Sequence, residues 1–142
     1  MGASEESLSL LIGRSAKELN RAFDDVLVAA GGSTPVWQVL LALAGGDHRS
    51  QAELAEAIGV RQPTLVHHLD AMERAGLVSR RRGEGNRRVQ LVTVTESGRA
   101  LFLRLRRVAA SFDGRLRAGL EDGDVAELRR LLELLRENAR PD

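Results

Sequence analysis

With 142 residues, of which 43% are hydrophobic and 29% charged, the chain has the composition of an ordinary globular domain able to bury a core. It contains no cysteine, which excludes disulfides, thiolate metal sites and thiol redox sensing. The formal net charge of +1 hides an asymmetry: between Arg74 and Arg107, ten arginines stand against only Glu84 and Glu96, so this window carries +8 within an acidic remainder.

A basic block inside an acidic frame points to a polyanion as partner. The opening MGASEESLSLLIGR is acidic ahead of a short apolar run, the reverse of a signal peptide. No apolar run approaches the roughly 18 residues that a membrane span needs. The expectation is a cytoplasmic protein with no membrane attachment.

Taken in order, Ser4 followed by Glu5 and Glu6 predicts a helix start, with acids facing the positive end of the dipole. Leu8, Leu11, Ile12, Leu19, Phe23, Val26 and Leu27 follow at helical spacing until Gly31-Gly32. A Leu-rich helix with few local partners suits packing against a second subunit or a plain core position. Thr34-Pro35 predicts the next start, with threonine as N-cap and proline at the first position. Trp37, Leu40, Leu41, Leu43 and Ala44 make this helix strongly apolar, and Gly45-Gly46 closes it. Trp37 suits a core site or the wall of a ligand pocket.

Ser50-Gln-Ala-Glu53 reads as a capping box, and Leu54, Ala55 and Ile58 form the inner face of a two-turn helix that Gly59 stops. A glycine turn followed by a second helix is a helix-turn-helix. That second helix spans about Gln62 to Ala75. At about 100° per residue, Leu65, Leu69 and Met72 share one buried stripe, with Pro63, His67 and Arg74 opposite. His68 falls at the core edge. Arg61 and Gln62 occupy the end that a recognition helix pushes into the major groove.

Gly76 ends the helix, and Leu77 to Arg80 reads as a strand. Gly83 to Asn86 supplies turn chemistry, and Val89, Leu91, Val92 and Val94 give a return strand. Arg81, Arg82, Arg87 and Arg88 flank the tip. A basic hairpin beside a recognition helix is a wing, suited to the phosphate backbone or the minor groove. Thr95 caps a long helix carrying Leu101, Leu105, Val108, Phe112 and Leu116. Gly119 to Gly123 breaks it, and a last helix carries Val125, Leu128, Leu131, Leu132 and Leu135.

The predicted fold class is therefore mostly α with a small β-hairpin wing (α+β), a winged helix-turn-helix over about 34–95. Helices over about 4–31 and 96–139 flank it within a single domain, 1–142. The candidate DNA-facing residues are Ser50, Arg61, Gln62, Pro63, Thr64 and His67 on the helical pair, with Arg82, Arg87 and Arg88 on the wing. His67 and His68 are adjacent on a helix and do not converge, and His48 is isolated, so no metal is expected. No phosphate-binding glycine loop, nucleophile elbow or H-E-x-x-H motif occurs, so neither catalysis nor a cofactor is expected. Two readings stand: a sequence-specific DNA-binding regulator, and a winged-helix module that binds protein and uses its basic face otherwise.

Three pieces, TPVWQVLLAL, LAEAIGVRQPTLVHHLDAMERAGLVSR and NRRVQLVTVTESG, occur in this order and at these spacings. In this the chain resembles the multiple-antibiotic-resistance regulator (MarR) family of winged-helix transcription factors over essentially its full length. The resemblance implies that 62–75 is the recognition helix and Arg88 the wing arginine of the minor groove. Arg80 matches the arginine that follows G-L-V in the family. Asn86 stands where the family wing usually carries aspartate, and Arg61 where a small capping residue is common. The resemblance also implies a homodimer joined by the terminal helices and bound to a pseudo-palindromic operator in double-stranded DNA. A small aromatic or phenolic effector would relieve repression.

Overall fold

The structure, a computed structural model, describes residues 5–45, 49–83 and 85–142, with the backbone but not the side chains of 86–88. Among these residues the order is α1 (Leu8–Ala29), α2 (Thr34–Ala44), β1 (Arg49–Ser50), α3 (Gln51–Ile58), α4 (Gln62–Arg74), β2 (Val78–Gly83), β3 (Asn86–Val94), α5 (Glu96–Leu116) and α6 (Asp122–Asn138). The chain divides into two compact units, 1–109 and 110–142, with the boundary inside α5.

Several helix starts differ from the sequence reading by one cap. Ser7, not Ser4, is the N-cap of α1, its hydroxyl accepting from the Leu10 N–H, and Glu5 and Glu6 precede the helix. Ser4 lies outside the described residues. Ser33, not Thr34, caps α2, because the Thr34 hydroxyl and N–H both donate to Asp24 of α1. A long-range carboxylate thus took the threonine that local pattern assigned as a cap. Gly45 is the C-cap of α2, while Gly46 and His48 lie outside the described residues. The break after α5 falls around Gly119, at φ 83°, as the sequence suggests, while Gly123 belongs to the first turn of α6.

Ser50 caps α3, accepting from the Glu53 N–H at 3.1 Å. The Glu53 carboxylate returns to the serine hydroxyl at 3.0 Å. Gly59 adopts φ 81°, the left-handed C-cap that reverses the chain into α4. Leu65, Leu69 and Met72 of α4 are buried, as their spacing predicts. They join Leu27, Leu40, Leu43, Leu54, Val78, Val92, Leu101 and Leu105 in the core of the first unit.

Both hairpin strands run further toward the tip than the sequence suggested, with a bulge between Arg82 and Gly83. A third strand, β1, was not foreseen. Its two residues pair with Val92 and Leu91, giving the sheet order β1-β3-β2 and placing β3 in the middle. Two residues carry no period, so local pattern has nothing to detect.

Thr95 closes the sheet onto α5. Its hydroxyl accepts from the Gly98 N–H at 3.0 Å and donates to the Gly76 carbonyl at 2.6 Å. The capping residue of α5 is thereby tied to the turn that follows α4.

Candidate nucleic-acid interface

The exposed end of α4 has no side-chain cap. Arg61 sits at the N-cap position with extended backbone and makes no capping hydrogen bond, and Pro63 follows in the first turn. The unpaired N–H groups of this turn, the positive end of the helix dipole and a guanidinium therefore meet at one place. Such an end favours an anion. Gln62, Pro63, Thr64 and His67 are all exposed beside it. His68 is half-buried and borders a cleft of about 330 Å³ with Ala71 and Met72 of α4 and Pro35 and Val36 of α2. Its position at the core edge agrees with the helical spacing.

Ser50 is half-buried, and its hydroxyl accepts from one Glu53 group and donates to another. Arg81 and Arg82 are exposed on β2, where Arg82 pairs in register with Gln90. Arg87 and Arg88 belong to β3, but their side chains, like that of Asn86, lie outside the described residues.

Arg80 departs from its basic neighbours. Its side chain is only 17% exposed. Its guanidinium donates to Asp70 and to Glu73 (3.1 Å) on α4, and to the Gln51 side-chain carbonyl (3.3 Å) at the head of α3. Its backbone N–H donates to the second Glu73 oxygen at 3.0 Å. The hydrogen bond from Arg80 holds the Glu73 carboxyl below its ordinary value. The stability this confers is complete above the unfolded-state value and lost only as pH falls through the lowered folded one. Burial works to lower the Arg80 pKa, and its bonds to Glu73 and Asp70 together outweigh that.

The linear basic window is therefore not one surface. Arg80 is spent on two carboxylates, and Arg104 donates to the Ala30 carbonyl at 2.8 Å, closing the C-terminal end of α1. Arg99 borders a cleft of about 490 Å³ with Leu40 and Leu43 of α2, Thr93 and Val94 of β3, and Phe102 of α5. Trp37 is half-buried and stacks on Phe102, with ring centroids 5.6 Å apart and planes within 16°. The tryptophan thus stands behind a cleft-lining aromatic. Sequence reasoning had marked Trp37 but missed Phe102 and Arg99, which lie more than sixty residues further along the chain.

The sequence model of the MarR family matches residues 31–89, the stretch that holds α2, the helix-turn-helix and most of the wing. A transcriptional regulator of that family from Rhodococcus sp. RHA1 is 26% identical, with a TM-score of 0.78 over 92% of this chain and 96% of that one. Over residues 31–89 this chain thus matches the MarR family, and its winged-helix fold is that of the family's regulators. Two further similar structures hold DNA. The transcriptional repressor CouR, bound to a 23-mer duplex, is 28% identical, with a TM-score of 0.81 over 94% of this chain and 93% of that one. The M. tuberculosis regulator MOSR in complex with DNA is 27% identical, with a TM-score of 0.80 over 94% and 96%. These likenesses support a DNA-binding transcription regulator with the winged-helix fold, and not an enzyme. Among the described residues no single helix is long and apolar enough to cross a membrane.

Proposed function

We propose that the protein is a cytoplasmic, homodimeric repressor that binds a pseudo-palindromic operator and is released by a small aromatic or phenolic acid. The observation that carries this reading is the uncapped, arginine-bearing end of α4, flanked by exposed Gln62, Pro63, Thr64 and His67. In this reading Gln62, Thr64 and His67 meet base edges, and Arg61 and the head of α4 take a phosphate. Ser50 contributes through the head of α3, while Arg82, Arg87 and Arg88 bring the wing to the backbone and minor groove.

A dimer is supported by apolar surface that the single chain leaves uncovered. Leu8, Leu11, Ile12 and Leu19 of α1 are exposed, and so are Leu128, Leu131, Leu132 and Leu134 of α6. A two-fold pair also doubles the bases read, which one winged helix needs for genomic specificity. The effector reading is supported by the cleft between α2, β3 and α5. Arg99 offers a partner for a carboxylate or phenolate, and Phe102, backed by Trp37, offers a flat apolar wall for a ring. The Thr95 bond to Gly76 links that end of α5 to the recognition helix.

Footprinting the promoter beside its own gene tests the proposal. The expected result is protection of an inverted repeat with half-sites about 34–36 Å apart. About eight phosphate contacts should lower affinity roughly 10³- to 10⁵-fold between 50 and 200 mM salt. Absence of any protected inverted repeat would favour a protein-binding module instead.

A further inference from the structure

We infer that Arg80 is a positioning residue for DNA recognition: it fixes the wing against the recognition helix, and so sets which bases and flanking phosphates are met together. The inference rests on the DNA-binding reading above and adds to it a residue that does not itself face DNA.

Three elements converge on this one side chain. Asp70 and Glu73 stand one turn apart on α4, Gln51 opens α3, and Arg80 belongs to β2, where it pairs in register with Val92 of β3. A planar guanidinium offers several donors in fixed directions, so it can hold two carboxylates and an amide at once. The backbone bond to Glu73 adds a second tether from the same residue. The core side chains Val78 and Val92 anchor the base of the hairpin, but Ser79, Arg81 and Arg82 of β2 are exposed. Among the described residues of β2, Arg80 is the one whose side chain bonds to α4. The angle at which the wing leaves the helical pair thus depends on it.

The acids make little sense as DNA contacts. Asp70 and Glu73 are 50% and 42% exposed on the helix that approaches phosphate. Two carboxylates there oppose binding through charge, and what they do in the fold is hold Arg80. Charge and geometry then predict opposite outcomes for removing them.

The test uses the full chain, an inverted-repeat duplex taken from its footprint and a scrambled duplex of equal length. Replacing Asp70→Ala and Glu73→Ala together removes two negative charges and should tighten binding to the scrambled duplex. Affinity for the inverted repeat should nevertheless fall, about 10-fold, with protection lost at the flanks and kept at the centre of each half-site. Arg80→Lys keeps the charge but offers a single nitrogen, and should show the same loss of preference. Circular dichroism confirms that each variant is folded at the assay temperature. Tighter binding of the double variant to both duplexes would overturn the inference, as would full preference retained by Arg80→Lys. If the wild type prefers no inverted repeat, the regulator reading fails first. If it does and the variants keep that preference, only the role of Arg80 fails.

Discussion

Gly98 shows how one residue joins the reading unit to the helix that follows. A Cβ placed there would lie 2.1 Å from the Leu77 carbonyl oxygen and 2.9 Å from a Val94 methyl. Backbone is the closer neighbour, so no rotamer change relieves it. Gly98→Ala is expected to destabilise the protein by about 1–3 kcal/mol through overpacking, read as a lower Tm by circular dichroism. An unchanged Tm would mean that the first turn of α5 is not pressed against Leu77. The sequence showed Gly98 only within the string NRRVQLVTVTESG; its reason lies in the close approach of α5 to Leu77, just before β2. Thr95 is the opposite case. Its capping role was legible from position alone, and only its second bond, to Gly76, was not.

At the scale of elements, the proposed interface would set stability against function at the start of α4. Ser7, Ser33 and Ser50 cap three other helices with hydroxyls, and Arg61 makes no such bond. Replacing Arg61→Ser should supply a cap worth about 1 kcal/mol and raise the Tm. If Arg61 faces a phosphate as proposed, the same change should weaken DNA binding and shallow its salt dependence by about one counterion. A more stable variant with unaltered salt slope would move Arg61 out of the interface. The periodicity of α4 made its buried stripe and its outward residues readable, since 3.6-residue spacing follows from backbone geometry alone. The wing was readable as a hairpin from its glycines and alternating valines, but its third strand was not.

For the whole molecule, the unanswered apolar surface is the dominant feature. The second unit, 110–142, has few residues with which to cover the leucines of α6, and Leu131 and Leu132 remain 42% and 40% exposed. Leu131→Glu with Leu132→Glu should therefore leave the secondary structure intact. Sedimentation should show the mass halved at micromolar concentration, and affinity for the inverted repeat should fall by at least about 100-fold, as only one half-site is held. A wild-type chain that sediments as a monomer would remove the dimer from the proposal.

The sequence by itself determined the helix-turn-helix, the hairpin and the outward set on α4, because each is encoded by short-range periodicity, caps and turn glycines. It also carried the resemblance to the MarR family, through three strings in fixed order. Only the tertiary structure decided how the arginines divide. Ten of them crowd one window, yet Arg80 is locked to Asp70 and Glu73, Arg104 closes α1, Arg99 borders the cleft, and Arg81 and Arg82 are exposed on the wing. A count of charges along the chain cannot separate these fates. What separates them is which carboxylates and carbonyls the fold brings within hydrogen-bond reach, and that depends on contacts between residues far apart in sequence.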